Sequence, residues 1–366
     1  MIAQCSVERW SLEQFAACRT AWDALLQASE ADPLFMSWDW QWRWWLHHAA
    51  PLAGTLELLA VYDGASLVGL APLYSRSVRV KGLLRSRRLE LIGNAWHDRR
   101  GWFSEYLDVI ARRGSQEQVV RAIAAELARQ GDWQELVLCC IRRDSVAARV
   151  AQSGLLGRAR VREVDTLEAW RTHLPEHFGE YAAALSSGTR RKLLNQRGRI
   201  PDARIETAVT AEEVTEYLAL LERYSAARWH AQGQGEHHRG FERDFALAMA
   251  QAGRLRLTRL VTSGRVLSVM CNVRCGSTIY YLRSGFQESH GISPGYLHFG
   301  YALESACAEH AACFDFLAGG GRHREYKEDL LTEPVPLTTY HLSRGHLAVL
   351  REAYDYLRGG RGRRRN

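Results

Sequence analysis

The sequence lacks the features that would place the protein in a membrane or outside the cell. No apolar run is long enough to cross a bilayer as a helix, and the first residues, MIAQCSVERW, do not have the layout of a signal peptide. We therefore expect a cytoplasmic protein without a transmembrane segment.

Motifs of several enzyme classes are also missing. The sequence contains no G-x-S-x-G nucleophile elbow and no phosphate-binding P-loop. The eight cysteines are scattered; Cys139 and Cys140 lie in an apolar run, and no further ligands stand near Cys271 and Cys275. We predict buried, reduced thiols and no metal site. No recognition helix or zinc motif is present, so a nucleic acid is not an expected partner.

Composition indicates a globular protein with a basic surface. Of the 366 residues, 46% are hydrophobic and 24% are charged, and the length suits two domains of ordinary size. The net charge is +7, and part of the excess lies in a basic tail after Leu357. This tail is interpreted as a solvated segment, with nucleic acid or an anionic membrane surface as the alternative partner.

Two segments 199 residues apart have the same pattern. Leu56–Tyr74 and Leu255–Val273 each consist of an apolar strand, a turn containing glycine and a second apolar strand, which is typical of a β-hairpin. Each follows a helical pattern and precedes a helix and a short apolar strand. This order predicts two copies of one α/β unit.

The most informative segment is 285–327. It contains a strand end, a helix that begins at Ser293-Pro294-Gly295, a short strand with Asp315, and a glycine-rich turn before Tyr326-Lys327. Ser293 is expected to cap the helix, and Pro294 suits its first position. Gly295 would let a ligand approach the backbone, and a bare helix N-terminus beside a sheet is suited to phosphate.

This segment resembles the C-terminal half of the GNAT-type acetyltransferases found with bacterial cellulose and exopolysaccharide synthesis genes, which are related to the Fem-type peptidyltransferases. The resemblance rests on the run GF…SPG…L…A…DFL.G…YK and covers most of the chain. Two departures concern the acceptor side: the turn from Gly319 to Glu325 is longer than usual, and Asp329-Leu330 stands where the family tends to have tryptophan.

The resemblance implies an α/β fold of two tandem GNAT-like domains, each with a mixed, mainly antiparallel sheet flanked by helices. We expect a degenerate N-terminal domain at residues 1–157, an acyltransferase domain at 162–344, and a C-terminal helix with the basic tail at 345–366. It also implies acetyl-CoA or another acyl-CoA as co-substrate, bound by Ser293, Pro294, Gly295 and Tyr296.

Three residues of the same segment are candidates for catalysis. Asp315 is predicted to lie in a buried strand, where it is either a general base or a structural anchor that pairs with Lys327 or caps the turn. Tyr326 is a candidate general acid for the leaving thiolate, and Lys327 is a candidate for contact with cofactor phosphates or an acidic acceptor. For both, packing of the turn against the sheet is the alternative.

The candidates for acceptor binding lie earlier in the chain. Tyr281 and Arg283 are predicted to share one face of a strand, because alternate residues point to the same side. Arg190 begins a basic stretch that could meet phosphate or be a solvated face. Arg228 and Trp229 follow a predicted helix, and the resemblance places Trp229 near the acceptor cleft.

The sequence thus predicts an acyltransferase that acts on an amine or hydroxyl of a sugar nucleotide or other intermediate of cell-surface polysaccharide. Two alternatives stay open: aminoacyl transfer from charged tRNA, as in Fem-type enzymes, and a non-catalytic protein that binds a polysaccharide synthase. The polysaccharide association comes from the resemblance alone.

Overall fold

The computed structural model describes residues 5–80, 84–98, 100–229, 235–287, 291–318, 325–345 and 348. The chain divides into two compact units. The first unit consists of residues 1–167 and 336–366, and the second of residues 168–335.

The elements alternate between helices and strands. The helices are α1 (Leu12–Ala17), α2 (Arg19–Gln27), α3 (Trp38–Leu52), α4 (Gln116–Arg129), α5 (Val146–Gln152), α6 (Phe178–Ala184), α7 (Ser187–Leu193), α8 (Ala211–Trp229), α9 (Glu236–Gln251), α10 (Pro294–Ala308) and α11 (Glu325–Glu328). The strands are β1 (Ser6–Arg9), β2 (Thr55–Leu56), β3 (Leu59–Asp63), β4 (Ser66–Ala71), β5 (Leu73–Val80), β6 (Leu84–Leu91), β7 (Ile110–Ala111), β8 (Glu135–Arg142), β9 (Arg160–His173), β10 (Arg204–Thr207), β11 (Leu255–Thr262), β12 (Arg265–Cys275), β13 (Thr278–Phe286), β14 (Cys313–Asp315) and β15 (Glu333–Ser343). A 3-10 helix, Asn195–Arg199, follows α7.

The first unit contains two groups of paired strands. One is antiparallel, in the order β1-β3-β4-β7, and the other has the order β2-β5-β6-β8, with β15 beside β8. Charged residues are buried on the strands of the second group. Glu135 accepts hydrogen bonds from Arg88, and His341 Nε2 lies 2.8 Å from Glu135 Oε1. These groups are buried, and each has a partner of complementary character.

The tryptophans of α3 form much of the hydrophobic core of the first unit. Trp38, Trp40, Trp44 and Trp45 are buried. Buried indole N–H groups find acceptors, as in the bond from Trp40 Nε1 to Ser104 Oγ at 2.9 Å. The buried tryptophans thus extend beyond a single stripe of α3.

The second unit is built on one mixed sheet in the order β10-β11-β12-β13-β14-β9. Its neighbours are antiparallel except for β13 and β14, which are parallel and joined through α10. A parallel pair needs such a crossover, because a tight turn cannot return the chain to the same end of the sheet. The crossover places the start of α10 at the end of β13.

Two contacts fix the middle of α10. A Cβ on Gly300 would lie 2.3 Å from the carbonyl oxygen of Leu193, so α7 and α10 cross at a point where only glycine fits. On the sheet side, the buried ring of His298 lies between two hydroxyls, with Nδ1 2.7 Å from Ser268 Oγ and Nε2 2.9 Å from Thr258 Oγ1. Helix and sheet are therefore joined by polar as well as apolar contacts.

The predicted mixed α/β fold is confirmed, and both predicted hairpins are present. β3 pairs with β4 through a turn containing Gly64, and β11 pairs with β12 through Ser263-Gly264, where both residues have positive φ. The boundaries were expected at 157 and 162, whereas the structure divides the chain at Leu167. The segment 336–344, expected in the second domain, lies in the first unit because β15 pairs with β8 there.

All eight cysteines are free; five are buried as predicted, whereas Cys5, Cys18 and Cys313 are half-buried. Across the described residues, no helix combines the length and hydropathy that a membrane span requires.

The helix crossing predicts a large difference between two glycine substitutions. Gly300→Ala should lower the free energy of unfolding by about 1–3 kcal/mol, because the new methyl group must displace the backbone of Leu193. Gly179→Ala is the matched control: Gly179 lies in α6 with open space around it, and alanine there should add up to about 1 kcal/mol. Urea denaturation of both variants measures the difference, and equal stabilities would contradict the crossing geometry.

Candidate functional site

The second unit has a gap in its sheet where two parallel strands separate. β13 and β14 pair only over Thr278–Tyr280 and Cys313–Asp315. β13 then continues to Phe286 beside β12, whereas the chain leaves β14 after Asp315 and turns at Leu317, whose φ is 55°. The far half of β13 therefore faces a space that β14 does not fill, next to the start of α10.

A bulge in β13 lies at the same place. Cys271 pairs with Arg283 and the next residue, Asn272, pairs with Tyr281, so Leu282 is an extra residue on β13. Adjacent residues of β12 point to opposite faces. Tyr281 and Arg283 therefore lie on opposite faces of the sheet, and the prediction that they share a face is wrong. The prediction assumed regular alternation, which the bulge interrupts.

The two residues have different surroundings. Tyr281 packs edge-on against Phe299 of α10 with ring centroids 4.9 Å apart, and its hydroxyl lies 2.7 Å from Ser284 Oγ. Arg283 Nη1 lies 2.9 Å from both carboxylate oxygens of Glu242 on α9. Burial raises the pKa of Glu242, and the arginine opposes that rise. Arg283 is therefore held by a carboxylate of the protein that the sequence did not point to.

The first residues of α10 are not capped in the way that the sequence predicted. Pro294 occupies the first helical turn as expected, but the Ser293 side chain makes no cap hydrogen bond. Its backbone, at φ −107° and ψ 84°, is outside the usual N-cap conformation. Instead, the Ser293 N–H donates to Gln196 Oε1 at 2.8 Å. The prediction that Ser293 caps the helix by its side chain is wrong.

Gly295 has a packing role in this structure. A Cβ at this position would lie 3.0 Å from the ring of Phe286, the last residue of β13. The absent side chain thus lets the helix start close to the strand end. Any role in ligand approach is additional to this contact.

Asp315 is buried at the end of β14 and supports the turn that follows. Its Oδ1 accepts the N–H of Leu317 at 2.8 Å, the residue with positive φ. Alternation along β14 puts Asp315 on the face opposite Phe314 and Phe316. The carboxyl group raises the pKa of Cys313, which burial has already raised, to about 11.

Lys327 is 4% exposed and stabilises the turn that follows β14. Its ammonium group donates to three successive carbonyl oxygens, of Phe316, Leu317 and Ala318, at 3.1, 2.6 and 2.9 Å. An ammonium group has three N–H donors. A contact between Lys327 and cofactor phosphates or an acidic acceptor would require one of these bonds to break.

Aromatic side chains line the α10 side of the gap. Tyr326 stacks on Phe299 with centroids 5.9 Å apart and meets the edge of Tyr296 at 6.3 Å. Burial and the nearby Asp329 raise the pKa of Tyr296 to about 12, so its phenol is neutral at physiological pH. The Tyr296 hydroxyl donates to Asp329 Oδ2 at 3.4 Å, at the outer edge of hydrogen-bond distance.

The remaining predicted binding residues are not all brought to this gap. Arg190 lies on α7 and donates to the carbonyl of Leu185 at 3.4 Å. Arg228 and Trp229 occupy the last turn of α8, and their side chains lie outside the described part of the structure. The glycine-rich turn at 319–324 also lies outside the described residues.

The structure thus brings Tyr281, Tyr296 and Tyr326 together on the α10 side, with Asp315 and Lys327 at the strand exit. Sequence reasoning missed Gln196, His298, Phe286 and Glu242. Of these, only His298 had a local signal, since it lies four residues after Pro294 on the predicted helix.

Residues 187–328 match the acetyltransferase (GNAT) domain family. The matched segment runs from the start of α7 to the end of α11 and contains the gap, α10 and the turn. The second unit therefore has the fold of GNAT-type acyltransferases. No curated protein sequence matches the chain significantly.

Solved structures resemble the chain over almost its full length. FemX is 12% identical with a TM-score of 0.63, covering 91% of this chain and 96% of that chain. A conserved protein of unknown function from Bacteroides thetaiotaomicron VPI-5482 is 12% identical with a TM-score of 0.59, covering 93% and 100%. The C-terminal domain of a putative lysylphosphatidylglycerol synthetase from Agrobacterium fabrum is 10% identical with a TM-score of 0.53, covering 92% and 95%. At such identities the likeness concerns the fold.

His298 predicts an acid-dependent loss of stability. Burial lowers the pKa of its imidazole to about 3, well below the ordinary value near 6.5. Between these values the unfolded chain binds a proton that the folded chain does not. The stabilising contribution is therefore complete above pH 6.5 and is lost as the pH falls, by about 2 kcal/mol between pH 6.5 and pH 5.

The His298→Gln variant tests this assignment, because glutamine does not titrate in this range. It should be less stable than the parent at pH 7, and its unfolding free energy should fall less between pH 6.5 and pH 5. Chemical denaturation at a series of pH values measures both slopes. Parallel slopes for the two proteins would show that His298 is not the titrating group.

Proposed function

We propose that the protein is an acyltransferase that moves an acyl group from acyl-CoA to an amine or hydroxyl of an acceptor. The observation that carries this proposal is the separation of β13 and β14 beside the start of α10, within the segment that matches the GNAT domain family. A strand gap next to a helix N-terminus can hold the thioester of acyl-CoA between the strands and the CoA phosphates at the start of the helix.

The reaction we propose is direct attack of the acceptor on the thioester carbonyl. It needs orientation of both reactants, removal of a proton from the acceptor, stabilisation of the oxyanion and protonation of the leaving thiolate. We assign the oxyanion to backbone N–H groups at the bulge around Leu282, which regular strand pairing does not use.

Asp315 and Tyr326 are our candidates for the proton transfers. Asp315 is buried on the face away from α10, where it would accept the proton of the acceptor. Tyr326 lies on the α10 side and would donate a proton to the thiolate. Lys327 serves as a positioning residue in this scheme, because its donors hold the strand exit that carries Asp315.

For the acceptor we propose an amine or hydroxyl of a sugar nucleotide or other intermediate of cell-surface polysaccharide. This class comes from the sequence resemblance stated above. In this proposal Arg190, Arg228, Trp229 and Tyr281 are candidates for acceptor contact. Arg283 would have to give up its pairing with Glu242 to take part.

Aminoacyl transfer from charged tRNA is the second candidate, favoured by the similarity of the fold to FemX. A non-catalytic binding role at a polysaccharide synthase is the third. Ligand-induced stabilisation separates the three, because a ligand that binds only the folded state raises its stability.

Acetyl-CoA binding is the first prediction of this proposal. Calorimetry on the full chain should give one site per molecule, and acetyl-CoA at 100 times its dissociation constant should stabilise the fold by about 2.7 kcal/mol. Stabilisation by aminoacyl-tRNA with no effect of acetyl-CoA would favour the second candidate. No response to either would favour the third.

Tyr326→Phe should reduce turnover by about a hundredfold or more without a large change in acetyl-CoA affinity, because only the acid is removed. The measurement is release of CoA thiol with a panel of amino-sugar nucleotides. Tyr301→Phe on α10 is the control and should leave turnover unchanged.

Asp315→Asn should also reduce turnover more than binding. The amide oxygen can still accept the Leu317 N–H, so the fold should survive. A variant that loses stability and activity together would instead assign Asp315 to structural support.

A further inference from the structure

A group of positive charges lies along α10 and is not neutralised by the protein. Residues 186–200 contain five basic residues and no acidic residue. We call this segment the basic strip; its cations are Arg190, Arg191, Lys192, Arg197 and Arg199. Among the described residues, only Arg197 has a carboxylate partner, Glu304 at 2.7 Å. Four positive charges therefore remain within ten residues of chain.

The basic strip is fixed against the first half of α10. Leu193 is fully buried, and its carbonyl oxygen meets Gly300 at the helix crossing. Gln196 accepts the N–H of Ser293, and Arg199 Nη1 donates to the Gly291 carbonyl at 2.6 Å. The strip thus reaches the residues that precede the helix.

Two of its cations rest on aromatic rings. The Lys192 ammonium lies 4.8 Å from the ring centroid of Tyr296, and the Arg197 guanidinium lies 3.9 Å from that of Tyr301. A ring holds a cation in place without cancelling its charge. The Nε and Nη2 atoms of Arg197 are buried and have no hydrogen-bond acceptor.

Part of the backbone at the start of α10 is not available to an anion. Pro294 has no N–H, and the Ser293 N–H is already bound to Gln196. The Leu297 N–H donates within the helix to the Ser293 carbonyl. Side-chain cations beside the helix would therefore add to the N–H groups of Gly295 and Tyr296 in holding a phosphate.

We propose that the basic strip binds the phosphate groups of the acyl donor, with Lys192 and Arg199 beside the start of α10 and Arg191 further out. This inference rests on the proposed function and adds residues to its donor site. CoA carries a diphosphate and a monophosphate, about four negative charges in a compact group. Three of the four unneutralised cations of the strip are assigned to that charge, and Arg190 stays a candidate for acceptor contact.

Other polyanions fit the strip less well. A nucleic acid is bound through phosphate contacts spread along a surface, whereas these cations lie within ten residues. A membrane surface attracts exposed basic side chains, whereas Lys192 and Arg197 are half-buried against rings. A compact ligand with several phosphates is the better match.

The test is calorimetric titration of the full chain with CoA and with 3′-dephospho-CoA. The variant Lys192→Gln/Arg199→Gln should weaken CoA binding by about 10- to 100-fold at low salt and by less at high salt, because two charged contacts are lost. Arg191→Gln, at an exposed position, should weaken the binding of CoA more than the binding of 3′-dephospho-CoA. Arg243→Gln/Arg254→Gln removes two exposed charges from the same unit and should have little effect.

The outcomes separate the inference from the proposed function. If CoA binds and the strip variants bind it as tightly as the parent, the inference is wrong and the donor assignment stands. If CoA does not bind at all, both are wrong. If aminoacyl-tRNA binds instead and the strip variants lose it, the strip serves a phosphodiester polymer and the CoA assignment is overturned. A thermal midpoint within a few degrees of the parent establishes that each variant is folded.

Discussion

The ammonium group of Lys327 and its three carbonyl partners determine where the chain leaves β14. Without that cation, three successive carbonyl groups would be buried beside a residue with positive φ, and each unsatisfied carbonyl would cost about 1–3 kcal/mol. Asp315 supports the same turn by accepting the Leu317 N–H. The gap between β13 and β14 exists because this turn takes the chain away from the sheet.

The other wall of the gap is α10, and its position depends on contacts that allow little movement. His298 is tied to two neighbouring strands, Gly300 touches the backbone of α7, and Gly295 touches Phe286. None of these contacts involves a long flexible side chain. A site that binds a thioester needs rigid surroundings of this kind, because the enzyme must hold the reacting groups in the correct orientation before they react.

The sequence predicts those parts of the fold that depend on periodicity, and misses those that depend on single contacts. The two hairpins, α10 and the short strand with Asp315 follow from apolar patterns and turn residues. The sequence could not predict that Tyr281 and Arg283 lie on opposite faces. An alternating pattern assumes regular pairing and does not reveal the one extra residue on β13. The pairing of β15 with β8 joins positions roughly 200 residues apart, which no local pattern indicates.

The sequence indicated which residues belong to the candidate site, but not which groups they contact. The sequence pattern suggested Ser293 as a cap and Lys327 as a ligand for anions, yet the N–H of Ser293 goes to Gln196 and the ammonium of Lys327 goes to the turn. The Ser293 hydroxyl makes no cap hydrogen bond, since the Ser293 backbone is outside the usual N-cap conformation. For Lys327, nearby carbonyl groups compete with an anion for the same N–H donors. Such competition is decided by the tertiary structure.

The two faces of the sheet at the gap differ in chemical character. The α10 side is lined by the aromatic rings of Tyr281, Tyr296 and Tyr326, whereas the opposite side has Asp315 and the half-buried Arg283–Glu242 pair. In the proposed transfer, Asp315 takes a proton from the acceptor as the oxyanion forms. Tyr326 then protonates the thiolate of CoA as it leaves. A charged face for the first event and a neutral phenol for the second keep the two proton transfers apart, and only a gap in the sheet lets both faces act on one carbonyl carbon.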